Sequence, residues 1–308
     1  MKRYIFCTLI SFVAISASAQ QIATSSMYEL QGVFHNPSVA GVDKHGMMGV
    51  TYRTMWDGID GGPRTATLFG SAYIPSVKLG IGGYIFSDVT GPTKRTGVQM
   101  AYAYHVPMRN EATLSFGIEG RFQQFSFDMA RLQASLGNDP VLGSTNTKFT
   151  GDAGFGISYT SKKFQAGASV SQLVQSKMDF YKLNLTGGSG ALPNRTDEAR
   201  LYRHYYFHSN YKWEVDGNTV IIPSVMLTYL PNAPMEFQAG ARVEHHEVFW
   251  WGVGLRARQS WMLSAGVHIA KAFTVGYSFD IYTTPLSVYD KGSNAHEILL
   301  RYDFAKKK

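Results

Sequence analysis

Apolar and polar positions alternate most regularly between Met235 and Ile281. In Trp261, Leu263, Ala265, Val267 and Ile269 every second residue is apolar, with Met262, Ser264, Gly266, His268 and Ala270 between them. Phe273, Val275, Tyr277, Phe279 and Ile281 repeat the pattern against Thr274, Gly276, Ser278 and Asp280. Successive side chains of a strand leave opposite faces, so a period of two predicts strands with one greasy face and one small, polar face. The connections here are too short for crossovers, and neighbouring strands are therefore expected to pair antiparallel. A soluble sandwich would turn its greasy face inward. A membrane barrel turns that face to lipid and the polar face to a lumen.

The same rhythm predicts strands at 46–56, 65–74, 78–87, 96–106, 112–127, 150–160, 164–172, 203–214, 218–230, 235–246, 248–258, 261–270, 273–282 and 295–304. That is about fourteen, most of them close to the ~9–11 residues that a tilted strand needs to cross a bilayer. Alternation is poorest at 78–87, where Gly80, Gly82 and Gly83 interrupt it. The long connections, Asp57–Arg64, Asp88–Arg95, Asp128–Phe149, Leu173–Tyr202 and Thr283–Asn294, are all odd-numbered, and the even ones are short. Bacterial barrels have short periplasmic turns and longer outer loops, so this parity predicts a periplasmic N-terminus and an even strand count. The expectation is an all-β, transmembrane antiparallel barrel over residues 46–304. Ile298, Leu300, Tyr302 and Phe304 are expected on the lipid face of the closing strand, opposite Leu299, Arg301 and Asp303.

Composition agrees. Aromatics make up 14% of the 308 residues, charged residues only 17%, and there are 31 glycines. The mean hydropathy of −0.13 fits a barrel whose polar face lowers the average better than it fits a helical membrane protein. Residues 1–19 read as a cleaved signal peptide: Lys2 and Arg3, an apolar core from Tyr4 to Ile15, then Ala17-Ser18-Ala19. The single cysteine, Cys7, falls within it, so the mature chain is expected to hold no disulfide, thiolate metal site or cysteine nucleophile. Of the 29 basic residues two leave with the leader, and the remaining 27 against 22 acidic give a net charge of +5. An excess so diffuse, partly in the basic tail 305–308, argues against a nucleic-acid partner. Residues 20–45 carry turn chemistry and no strand pattern. They are expected to form a periplasmic segment that either plugs the barrel mouth or docks a periplasmic partner.

No motif of nucleophilic, metal-dependent or phosphate-binding chemistry is present. His245 and His246 are adjacent in a strand and point to opposite faces, a poor arrangement for a metal. Arg242 and Glu244 share a face and are expected to pair in the lumen. Phe249-Trp250-Trp251 reads as an interfacial aromatic belt rather than a stacking platform. His296-Glu297, at the start of the closing strand, reads as a hydrogen-bonding pair at the rim. Neither enzymatic activity nor a cofactor or metal is expected.

Several runs resemble the PorP/SprF family. They begin with Asn36-Pro37-Ser38-Val39-Ala40-Gly41, Tyr52-Arg53, Trp56-Asp57-Gly58 and Gly62-Pro63-Arg64-Thr65. Gly80-Ile81-Gly82-Gly83, Asp88-Val89-Thr90-Gly91, Gly276-Tyr277-Ser278-Phe279-Asp280 and Ala295-His296-Glu297-Ile298 follow in order. Members usually read Asn-Pro-Ala where this chain has Asn36-Pro37-Ser38. The resemblance implies an outer-membrane protein of the type IX secretion system of Bacteroidota. Its partners would be outer-membrane lipid, other secretion components and a secreted or surface client, some members serving export of gliding adhesins. It carries over no catalytic residue. Asn36, Pro37, Ala40, Gly41, Arg53, Trp56, Gly58, Pro63, Thr65, Asp280, His296 and Glu297 match family motif positions whose role it leaves open. A passive porin or small-molecule transporter fits the alternation alone equally well.

Overall fold

A computed structural model describes residues 24–136, 147–178, 200–231, 233–292 and 294–304. The expected leader, the tail 305–308 and the middles of the two largest outer loops lie outside the described residues. The described strands close into an antiparallel barrel of fourteen. They are β1 Met47–Met55, β2 Arg64–Ile74, β3 Leu79–Thr90, β4 Thr93–Pro107, β5 Thr113–Phe127, β6 Thr147–Thr160 and β7 Phe164–Ser171. Then follow β8 His204–Tyr211 with a short continuation Trp213–Glu214, β9 Thr219–Tyr229, β10 Glu236–His245, β11 Phe249–Arg256, β12 Ser260–Ile269, β13 Phe273–Tyr282 and β14 Ala295–Asp303. Each strand pairs with its sequence neighbours. The ring is sealed by β1 against β14, from Met47 opposite Asp303 to Met55 opposite Ala295.

Alternation sorts the side chains as the sequence implies. On β13, Phe273, Val275, Tyr277 and Ile281 are exposed on the outer face, while Thr274, Gly276, Ser278 and Asp280 are buried inside. On β14, Ile298 and Leu300 face out and Glu297 and Leu299 face in. Connections 75–78, 108–112, 161–163, 215–218, 246–248 and 270–272 form a short-turn rim. The larger loops gather at the opposite rim.

Three local expectations change. Asp88–Arg95 is not a loop: β3 and β4 run on to Thr90 and Thr93, leaving only Gly91-Pro92 as the turn. The run reads as loop because it is polar. Its polar residues nevertheless pair across strands, Asp88 opposite Arg95, with Thr65 Oγ1 donating to Asp88 at 2.6 Å. The predicted strand 203–214 breaks at Lys212, whose N–H turns to the Lys163 carbonyl. The outer connection after β5 opens with a short helix, α1 Met129–Leu136, for which strand alternation gives no signal.

Trp250 departs from the expected aromatic belt. Phe249 and Trp251 do face outward, but Trp250 is 1% exposed and lies inside over Gly266 and Gly276. A side chain on either glycine would strike its ring. Three consecutive aromatics on a strand cannot share a face.

The lumen is occupied. Residues 24–46 run along its axis, beginning among Ser25 and Ser26 in the half nearer the loop rim and leaving beside β1 at the short-turn rim. Met27, Leu30 and Val33 form a buried apolar cluster with Phe69, Tyr84, Phe86, Trp250 and Leu299 from the wall. The described part of the segment, from Thr24 onward, lies in the lumen, and much of the polar inner face packs against it.

Candidate functional site

The inner wall binds this segment at two stations of different chemistry. The first lies in the half nearer the loop rim. Here Arg53 of β1 sits opposite Glu297 of β14 across the closing seam. Its Nη1 is 3.0 Å from Glu297 and its Nη2 2.6 Å from Asp280 of β13. Arg256 of β11 reaches the same Asp280 carboxylate at 3.3 Å. All four are essentially buried, from 0% exposure for Arg256 to 4% for Arg53. The partly exposed Glu236 also lies 3.2 Å from Arg256, so each buried ion has an opposite partner, the condition under which charges tolerate burial.

The segment completes the cluster. Ser25 Oγ donates to Glu297 at 2.5 Å, the Ser26 amide to the other Glu297 oxygen at 2.8 Å, and Ser26 Oγ to Asp280 at 2.7 Å. Gln31 Nε2 donates to Glu297 at 2.9 Å. Carboxylate oxygens accept several bonds each, so every donor adds a charge-assisted contact.

The second station lies toward the short-turn rim, on the opposite wall. Asn36 Oδ1 accepts from the Ser38 amide at 2.9 Å and caps a single helical turn, Pro37–Val39, whose first position Pro suits. Asn36 Nδ2 donates to the Ile157 carbonyl at 3.2 Å and faces His208 at 3.0 Å. Ser38 pairs with Ser158 at 2.8 Å, and His105 Nε2 donates to the Ala40 carbonyl at 2.8 Å. The Gly41 amide donates to Ser71 Oγ at 2.7 Å. Gly41 holds a φ of +68°, with backbone of Ala72 and Gly80 where a Cβ would stand.

The wall at this station is bare where the segment presses on it. A Cβ at Gly80 would collide with Ala40, one at Gly117 with Ser38, and one at Gly156 with Asn36. Gly82 similarly makes room for Val33. These glycines explain the poor alternation of the third strand: its inner positions are emptied for a backbone.

Seven of the motif positions thus meet the lumen segment or belong to it: Asn36, Pro37, Ala40, Gly41, Arg53, Asp280 and Glu297. Four others brace the loop rim beside the seam. The Trp56 amide donates to the Asn294 carbonyl, and its ring lies 5.9 Å from Tyr282. The Gly58 amide donates to buried Asp290 at 3.0 Å, Pro63 accepts from the Met55 amide, and Thr65 holds Asp88. His296 and Glu297 part company. His296 lies on the outer face 2.6 Å from the Tyr277 hydroxyl, whereas Glu297 is 1% exposed in the lumen cluster rather than at the rim. Sequence reading missed Arg256, Ser25, Ser26 and Gln31. Arg256 could have been found as a cation on the inward face of an alternating strand.

Between segment and wall, toward the short-turn rim, remains a cavity of about 420 Å³ bordered by Asp43, His45, Arg242, Glu244 and Arg301. Arg242 pairs with Glu244 at 3.2 Å, as their shared face implies. On the rim, a hydrogen bond from Lys271 and its charge draw the Glu247 carboxyl below its ordinary range, and the Lys271 ammonium is raised in return. Asp216 is lowered by backbone amides of Asn218 and Thr219. Among the described residues no group of three or more His, Cys, Asp or Glu is placed to hold a metal ion.

The family model of the type IX secretion system membrane protein PorP/SprF matches residues 17–302. The chain belongs to the PorP/SprF family. A search of curated proteins found no match. Among solved structures the barrel is similar to the Ralstonia pickettii toluene transporter TbuX, at 9% identity over 87% of this chain and 91% of that one, with a TM-score of 0.50. It is also similar to the monoaromatic hydrocarbon channel CymD, at 11% identity over 89% and 91%, TM-score 0.50. At such identities the likeness establishes the outer-membrane barrel fold alone. This PorP/SprF member is accordingly a secretion-system membrane protein with that fold.

Proposed function

We propose that this PorP/SprF protein is a non-enzymatic outer-membrane component of the type IX system that assists secretion or surface attachment of client proteins, gliding adhesins being one class. The observation that carries the reading is the family match across the whole barrel, joined to a lumen filled by residues of the same chain. A passive porin needs a continuous water path, and a strapped lumen counts against one. In this reading the short-turn rim faces the periplasm and its secretion components, the outer strand faces contact lipid, and the larger loops face the client. The leader 1–19 delivers the chain and the segment from Thr24 to His45 closes the barrel. The motif residues hold that closure: Asn36, Pro37, Ala40, Gly41, Arg53, Asp280 and Glu297 through the segment, and Trp56, Gly58, Pro63, Thr65 and His296 through the loop rim and outer face.

Orientation is tested by cysteines at Asp60 and Asp216 in the otherwise cysteine-free mature chain. An impermeant thiol reagent on whole cells should label position 60 and spare 216. Function is tested by comparing secreted and surface proteomes of wild-type cells, deletion cells and cells whose connection 172–203 is replaced by a short turn. Both mutants should strand a large client inside while small-solute permeability stays unchanged. Unchanged surface proteins together with lost solute uptake would reverse the conclusion in favour of transport.

A further inference from the structure

The outer face of the barrel is largely greasy, and β2 to β6 interrupt it near the loop rim. Across β2 to β6 the ladder aligns Ala66, Ser87, Thr96, Gln124 and Phe149 in a row on the lipid-facing side. One row nearer the short-turn rim stand Leu68, Ile85, Val98 and Phe122. One row nearer the loop rim, Arg64 and Lys94 flank Val89. Small side chains in the middle row, walled by Leu68, Phe122 and Phe149, leave an open groove of about 550 Å³.

The polar groups of this groove are free. The side chains of Ser87, Thr96 and Gln124 make no hydrogen bond among the described residues, although they face lipid. Lys94 is exposed and forms no ion pair there. Arg64 is 61% exposed and touches Asp57 only at 3.5 Å, a contact of little strength between solvated groups. Arg64 and Lys94 lie on strands two apart, about 10 Å from each other at a strand spacing of ~4.8 Å. That separation is within the span of one lipid headgroup and two long side chains. The opposite wall shows what an ordinary lipid face looks like at matching height: Leu255, Trp261 and Ile281 align there as a continuous apolar row.

We infer that this groove is a binding site for one phosphorylated glycolipid of the outer leaflet, an acyl chain lying over Ala66, Ser87 and Thr96 and a phosphate between Arg64 and Lys94. Charge selects the occupant. A neutral lipid brings no charge to either cation, a zwitterionic one brings a single phosphate already offset by its own ammonium, and a protein helix would have to bury two cations and three hydrogen-bonding side chains against the exposed Asp57 beside Arg64. A hydroxyl or amide just below the headgroup meets the ester carbonyls and sugar hydroxyls of such a lipid, which accounts for polar residues on a lipid-facing row. The assignment of the leaflet rests on the orientation proposed above. Binding itself does not, because it is measured on purified protein without reference to client export.

The test uses the full mature chain in detergent, delipidated and titrated with diphosphoryl lipid A under native mass spectrometry. Wild-type protein should retain one lipid A. Arg64→Gln with Lys94→Gln should weaken retention about tenfold or more, at roughly one factor of five per lost cation. Ala66→Phe, which fills the floor of the groove, should weaken it without altering charge. Dephosphorylated lipid A and phosphatidylethanolamine should bind wild-type protein as poorly as lipid A binds the double variant. Lys271→Gln, at the short-turn rim, should bind like wild type. Heat-modifiable migration on gels certifies that each variant is a folded barrel. Equal retention by wild type and the double variant overturns the site, as does phosphatidylethanolamine binding as tightly as lipid A.

Discussion

The two walls of this barrel hold one segment in opposite ways. The wall of β11, β13 and β14, with β1 across the seam, offers buried charge: Arg256, Asp280, Glu297 and Arg53 take up the hydroxyls and amides of Ser25, Ser26 and Gln31. The wall of β3, β5 and β6 offers absence: Gly80, Gly117 and Gly156 let backbone and short side chains approach to contact. Charge fixes direction and register at one end, and shape fixes position at the other. A change on the first wall leaves an uncompensated ion, whereas a change on the second inserts a methyl group. The two should therefore differ in size, and in whether the barrel or only the segment responds.

The largest effect is expected at Asp280. Asp280→Ala leaves buried Arg53 with Glu297 alone and buried Arg256 with the partly exposed Glu236 alone, and removing one partner of a buried pair costs about 3–5 kcal/mol. Urea unfolding of the mature protein in lipid should show that loss. A cost under about 1 kcal/mol would mean that water reaches the cluster. Next comes a position that touches neither station. Val275→Arg, mid-strand on the outer face, should cost about 2–4 kcal/mol through its exposure to lipid. The shape-fitted wall ranks third. Gly117→Ala should cost about 1–3 kcal/mol by overpacking against Ser38, while Gly120→Ala three residues along, with nothing near its Cβ site, should change little. Equal effects at the two glycines would show that the segment does not seat there. Asn36→Ala removes one cap and should cost about 1 kcal/mol. Proteolysis of residues 24–45 should report it more clearly than global unfolding, because the barrel ladder is untouched.

The same contrast explains what the sequence disclosed. Where one face meets lipid and the other meets side chains, as on β12 and β13, period two survives intact, and fourteen strands with their facing follow from it. Where the inner face meets a backbone, as at Gly80 and Gly82, side chains disappear and the period with them. The lumen segment carries no period, so its turn chemistry showed what it is not rather than where it goes. Glu297 was legible as a family position, but its fourfold role depends on Arg53, Ser25, Ser26 and Gln31, which lie some 240 to 270 residues away in the chain. Ser278 alternates as a lumen residue should, yet it is fully buried beside Asp280.

The seam between β1 and β14 joins the first strand to the last, and Ser26 bonds across it, to Arg53 at 3.1 Å and to Glu297 at 2.8 Å. Synthesis delivers the segment before any strand and Glu297 almost at the end of the chain. Once the ring has shut, residues 24–45 would have to enter lengthwise, between the wall residues Phe69, Tyr84 and Trp250 that Met27, Leu30 and Val33 pack against. Arg53, which donates to the Ser26 hydroxyl at 3.1 Å, is thus made long before Asp280, which accepts from that hydroxyl, and Glu297, which accepts from the Ser25 hydroxyl and the Ser26 amide.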